Sequence, residues 1–132
     1  MDKEYKIKKD NLIYPELSFK IVGVLFDAYN ELGYGYQEKY YQKAISVILK
    51  ESKLTFKEQV YFPIKIMEEK IGNYYFDFLI EDKIVLEIKK DEKFKKKNVE
   101  QVYSYLKSAN LKLGILANFT KNGVKYMRIL NT

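Results

Sequence analysis

An aspartate stands inside the apolar run Tyr75-Phe76-Asp77-Phe78-Leu79-Ile80, and ten residues later Glu87-Ile88-Lys89 sets a carboxylate two positions before a lysine. A lone charge among aromatic and aliphatic residues of a central strand is unfavourable without a partner, so something positive is expected beside Asp77. If the intervening turn is centred on Asp82, Asp77 lies directly across a hairpin from Glu87, with Cβ atoms about 5 Å apart, and Lys89 shares their face. Opposed carboxylates repel, which is a cost in a structural sheet and an advantage if a divalent cation binds between them. Hard oxygen ligands of this kind suit Mg2+ or Mn2+. With a cation held there, a phosphoryl oxygen is polarised and a bound water acidified, while Lys89 orients that water or neutralises developing charge. That is equipment for phosphodiester hydrolysis. A two-residue turn at Asp82-Lys83 would instead pair Asp77 with Ile88 and send Glu87 to the opposite face. Glu87-x-Lys89 also fits the ordinary alternation of a half-exposed strand.

The elements that must position these residues follow from periodicity. Residues 1–14 are charged and without period, and read as a loose basic arm. Pro15 opens a helical pattern in which Leu17, Ile21, Leu25, Ala28, Tyr29 and Leu32 form one stripe, with Gly33 as the stop. A second helix, roughly 37–53, has Tyr41, Ala44, Ile45, Ile48 and Leu49 as its stripe and Glu38 in its first turn. From Phe56 the period becomes two, with Phe56, Glu58, Val60, Phe62, Ile64 and Ile66 on one side; Pro63 points to an edge strand or a bulge. A turn over Glu68 to Asn73 leads to strands Tyr74 to Ile80 and Ile84 to Lys89, giving three antiparallel strands. A charged loop precedes a helix beginning at Asn98, with Val99, Val102, Leu106 and Ala109 on one face. Strands follow at Leu111 to Asn118 and Val124 to Leu130, so the element order is ααβββαββ.

Composition narrows the chemistry. The chain has 132 residues, one domain's length, and no Cys or His. That excludes a disulfide framework, a thiol nucleophile, a Ser-His couple and the usual zinc sites. No apolar run approaches the ~20 residues that cross a bilayer, so a soluble cytoplasmic protein is expected, without a membrane partner. The net charge is +6, but of 24 basic residues all except Arg128 are lysine. Bidentate recognition of bases or phosphates favours arginine, so charge alone does not identify a nucleic-acid binder.

Asp, a hairpin and Glu-x-Lys, with a helix before and a helix after, resemble the PD-(D/E)xK nuclease superfamily. Gly35-Tyr36-Gln37-Glu38-Lys39-Tyr40-Tyr41 fits the Gly-x-x-Glu-x-x-Tyr pattern that names its GxxExxY branch. The likeness also takes in Glu58-Gln59, Leu86 to Glu92, Gln101 and Leu113 to Phe119, with Phe76 in place of the superfamily's proline. It implies an α/β (α+β) fold with a restriction-endonuclease-like αβββαβ core, a mixed central sheet flanked by helices, as a single domain over 15–132. It further implies that Asp77, Glu87 and the backbone carbonyl of Ile88 hold the metal, with Glu38 reaching it through water, and that Lys89 activates the attacking water. Gln101 and Tyr105 match a Gln-x-x-x-Tyr arrangement that lines the site. Gln101 joins Asp77, Glu87, Lys89 and Glu38 as catalytic, while Tyr41, Tyr105, Lys90, Lys93, Lys95, Lys96 and Lys97 are expected to meet nucleic acid.

Each of these has a local alternative. Any acid is favoured in a first helical turn, as Glu38 is; Gln101 stands three residues after Asn98 and suits a capping box. Tyr41 and Tyr105 sit at helical spacing suited to a core edge, and Lys93 to Lys97 to a solvated loop. The function expected is a divalent-metal-dependent nuclease, with Mg2+ or Mn2+ as cofactor, DNA as the favoured substrate and a homodimer as the means of cutting a second strand. The alternative is a catalytically silent nuclease-fold module that binds nucleic acid or a protein partner.

Overall fold

A computed structural model describes residues 13–132. The arm expected over 1–14 therefore lies almost entirely outside the described residues; Ile13 and Tyr14 pack against the core rather than belonging to it.

Helix α1 (Pro15–Leu32) begins with its proline at the first turn, where a missing N–H costs nothing, and stops at Gly33. Helix α2 spans Glu38–Glu51. Their expected stripes are the faces they bury: Ile21, Leu25 and Ala28 on α1, and Tyr41, Ile45 and Leu49 on α2. Strands β1 (Phe56–Ile66), β2 (Glu69–Ile80) and β3 (Ile84–Lys89) form an antiparallel meander. Helix α3 (Lys96–Ala109) then crosses over to β4 (Leu113–Thr120), parallel to β3, and β5 (Gly123–Leu130) returns antiparallel. The five strands lie in the order β1-β2-β3-β4-β5. Three helices and one mixed sheet make an α+β fold of the expected kind. The sheet separates two cores, α1 and α2 covering Phe78, Leu86, Ile88 and Ile115 on one side, and α3 covering Phe76, Val85 and Leu116 on the other.

The structure revises four details. Strand β2 starts at Glu69, not Tyr74, because Met67 and Glu68 both adopt left-handed φ (49° and 70°) and close a two-residue turn without glycine. Helix α3 begins at Lys96 and carries no side-chain cap; Asn98, within its first turn, instead donates to Asp91, so no capping box joins it to Gln101. Tyr105 rather than the exposed Ala109 completes the α3 stripe. The single face expected along β1 does not exist either. Phe56 packs on Phe78 at 5.9 Å in the α1/α2 core, whereas Phe62 packs on Phe76 at 5.8 Å in the α3 core. The switch occurs at Gln59, whose φ is 50° and which drops out of the β1–β2 pairing between Glu58↔Phe78 and Val60↔Phe76. Its missing partner is Asp77. Pro63 does lie on an edge strand.

Candidate active site

The turn after β2 is centred on Asp82, with Ile80↔Ile84, Leu79↔Val85 and Phe78↔Leu86 paired, so the same register sets Asp77 opposite Glu87. The alternative two-residue register is excluded. Backbone pairing ends at Phe78↔Leu86, and the two carboxylates take over from there. The Asp77 N–H donates to Glu87 Oε1 at 3.0 Å, and the Ile88 N–H donates to Asp77 Oδ2 at 2.7 Å. This reciprocal clasp puts carboxylate oxygens where carbonyls of a continuous ladder would sit. Gln42 on α2 donates from Nε2 to Asp77 Oδ1 at 2.8 Å, and the Tyr74 hydroxyl donates to Glu87 Oε2. Lys89 Nζ lies 3.3 Å from the Tyr74 oxygen and 3.7 Å from Glu87 Oε2. Asp77, Glu87 and Lys89 are thus brought together as expected.

The pair is electrostatically loaded. Asp77 and Glu87 are 6% and 3% exposed, and Lys89 is ion-paired with Glu87. Burial first, and the adjacent Glu87 charge second, push the Asp77 carboxyl up to about 8. Burial likewise raises Glu87 against the opposing hydrogen bond from Tyr74, and burial with the Glu87 contact raises Tyr74. Two half-compensated, buried, hard oxygen donors fit a divalent cation, which would relieve both the repulsion and the desolvation. Among the described residues no third acidic side chain closes on them to complete a cluster of ligands.

Glu38 is held at the edge of the site, where its charge is felt by Tyr74. Its Oε2 accepts from the Lys90 N–H at 3.1 Å, so the start of α2 pins the chain where it leaves β3. The loop before it depends on Gly35, at a φ of 108° that side chains rarely adopt, and on Tyr41. Tyr41 is fully buried, donates from its hydroxyl to the Gly33 carbonyl and accepts from the Tyr36 N–H at 3.4 Å. A residue so placed presents no surface to nucleic acid, so the role expected for Tyr41 is replaced by that of a loop staple. Tyr105 is 7% exposed and stacked against Phe76 at 4.8 Å, a core position that likewise leaves little ring for a nucleic acid. Gln101 is half-buried on α3 and makes no hydrogen bond to the carboxylates among the described residues. Lys93, Lys95, Lys96 and Lys97 are exposed around the start of α3, with Lys95 paired to Asp91 at 3.3 Å, and Lys90 is half-buried beside the site.

Sequence reasoning missed Gln42 and Tyr74. Gln42 lies four residues after Glu38, on the same helix face, and Tyr74 precedes Asp77 by three, a spacing that ordinary alternation assigns to the opposite face of the strand. Only the face switch at Gln59 and Asp77 brings Tyr74 round to Glu87.

Comparison with known proteins agrees with this architecture. No curated protein matches the sequence. Among solved structures, the crystal structure of SSO0001 superposes with a TM-score of 0.53 at 18% identity, over 71% of this chain and 50% of that one. The likeness is one of fold, and the chain spans about half the length of that relative. The family model of the PD-(D/E)XK nuclease superfamily matches residues 15–129, a span that takes in every element from α1 to β5 and all of the clasp, and the chain belongs to that superfamily.

Proposed function

We propose that the protein is a divalent-metal-dependent nuclease of the GxxExxY branch, hydrolysing phosphodiester bonds, with DNA as its substrate and Mg2+ or Mn2+ as its cofactor. The observation that carries this reading is the buried Asp77–Glu87 pair with Lys89 beside it. Superfamily nucleases generally use divalent metal ions. Asp77, Glu87 and the Ile88 carbonyl would hold the cation, with Glu38 joining through water. When bound, the cation supplies Lewis-acid activation of the phosphoryl oxygen and of a water. The chain's own residues supply position. Gln42 and the Ile88 amide fix the Asp77 carboxylate, and Tyr74 and the Asp77 amide fix that of Glu87. Lys89, steadied by Tyr74, orients the attacking water and offsets charge developing on the phosphoryl oxygens. Gln101 and the exposed lysines Lys93, Lys95, Lys96 and Lys97, with Lys90, place the backbone of the nucleic acid, whose phosphates give affinity without reading sequence.

One observation favours the silent binding module as a second reading: every oxygen of the pair already accepts a hydrogen bond from the protein. Wild type and Asp77→Asn incubated with labelled single-stranded, duplex and four-way-junction DNA and with single-stranded RNA, in Mg2+, Mn2+ or chelator, separate the two. Metal-dependent cleavage that disappears in the variant is expected. Nucleic-acid retention indifferent to metal, with no cleavage of any substrate, would replace the nuclease by the module.

A further inference from the structure

Asn118 has no part in the site as described, yet it is among the most deeply buried polar side chains of the sheet. It is 1% exposed, and among the described residues neither its Oδ1 nor its Nδ2 has a hydrogen-bond partner. Interiors pair nearly all such groups, because a buried amide without partners forfeits what it had in water. The neighbours Ala117 and Phe119 pack in the α1/α2 core and Leu116 in the α3 core, so alternation along β4 turns Asn118 to the α3 side. That is the side of Glu87 and Lys89. Register pairs Asn118 directly with Lys89 across the parallel β3–β4 ladder, and residues so paired stand on one face about 4.8 Å apart. Lys89 ends β3 and Asn118 lies two residues before the end of β4, so the two stand towards the same edge of the sheet. An ammonium has three donors; Lys89 directs Nζ towards Tyr74 and Glu87, which leaves one for a further acceptor.

We propose that Asn118 is a positioning residue for Lys89: its Oδ1 accepts the third Nζ–H, and its Nδ2 donates to the water that Lys89 orients. Both ends of the amide then have partners, and the ammonium is held from two strands rather than one. The water-placing half rests on the nuclease reading; the contact with Lys89 does not.

The test has two arms on the full chain. In metal-free 15N-labelled protein, the side-chain NH2 signals of Asn118, assigned by their loss in Asn118→Leu, are expected to shift in Lys89→Met. Signals that stay in place would overturn the contact. In cleavage kinetics, Asn118→Leu is expected to lower kcat roughly 10- to 100-fold, the usual range for groups that orient a catalytic residue, with KM nearly unchanged. Asn118→Asp, which keeps the acceptor oxygen but loses the Nδ2 donor, is expected to restore part of that loss. Equal losses in both variants, or a loss confined to KM, would reduce Asn118 to packing. If Asn118→Leu fails to fold, the Asp variant and the Lys89→Met spectrum still decide. If wild type cleaves nothing, the nuclease reading falls, and the spectral arm alone judges the contact.

Discussion

Asp77 keeps its charge in the interior at a cost, and that cost depends on pH with a definite sign. Its carboxyl is pushed from an ordinary value near 4 up to about 8, by burial and then by Glu87. The folded state therefore holds this proton more tightly than the unfolded chain does, so the metal-free protein loses stability as pH rises from about 4 through about 8. Asp77→Asn removes the charge while keeping an acceptor for Ile88, and is expected to raise the melting temperature of metal-free protein at pH 8 by about 5 °C or more. At pH 4 the difference should nearly vanish. Thermal melts at the two pH values check this; a variant less stable at pH 8 would mean that Asp77 is fully compensated by its neighbours. At this scale the sequence was informative about the charged trio, since an acid among Phe and Leu announces itself. It was silent about Gln42, Tyr74 and Asn118, because an uncharged polar residue shows its importance only through what it faces.

At the scale of elements, the helices and the succession of strands along the chain follow from periodicity, whereas the register of β2 and β3 was open to two turns until the pairing Ile80↔Ile84 chose the one centred on Asp82. What periodicity could not supply was the change of face within β1 and β2, since alternation assumes an unbroken ladder. The device is local: Gln59 at a left-handed φ opposite Asp77. That conformation costs an ordinary L-residue about 1–2 kcal/mol and a glycine little. Gln59→Gly is expected to hold or raise stability, whereas Gln59→Val, β-branched and averse to that region, should lower it and slow cleavage by displacing Asp77. Denaturant melts of the pair of variants test it. Equal stability of the two would place the origin of the face switch elsewhere. Gly114 shows the same dependence on close approach, for a Cβ there would stand 2.6 Å from Val102 and 3.0 Å from Val85, fixing how near α3 lies to the sheet.

On the scale of the whole molecule, a net charge of +6 is carried almost wholly by lysine, and the densest run, Lys93 to Lys97, surrounds the start of α3 just beyond the site. If these side chains meet phosphates, replacing Lys93, Lys95, Lys96 and Lys97 by Gln should lower the slope of log affinity against log salt by about 2–4, near 0.9 per contact for duplex DNA. Binding titrations across a salt series measure it; an unchanged slope would make the run a solvated loop. The composition showed the charge but not its address, which only the β3–α3–β4 crossover supplies. The clasp between β2 and β3 has a further consequence for how such sequences change over generations. Because Asp77 and Glu87 stitch two strands together where peptide groups do not, a lineage that ceased to cut nucleic acid would still need an acceptor oxygen at both positions. Asn or Gln there, rather than an apolar residue, is what the loss of chemistry would leave behind.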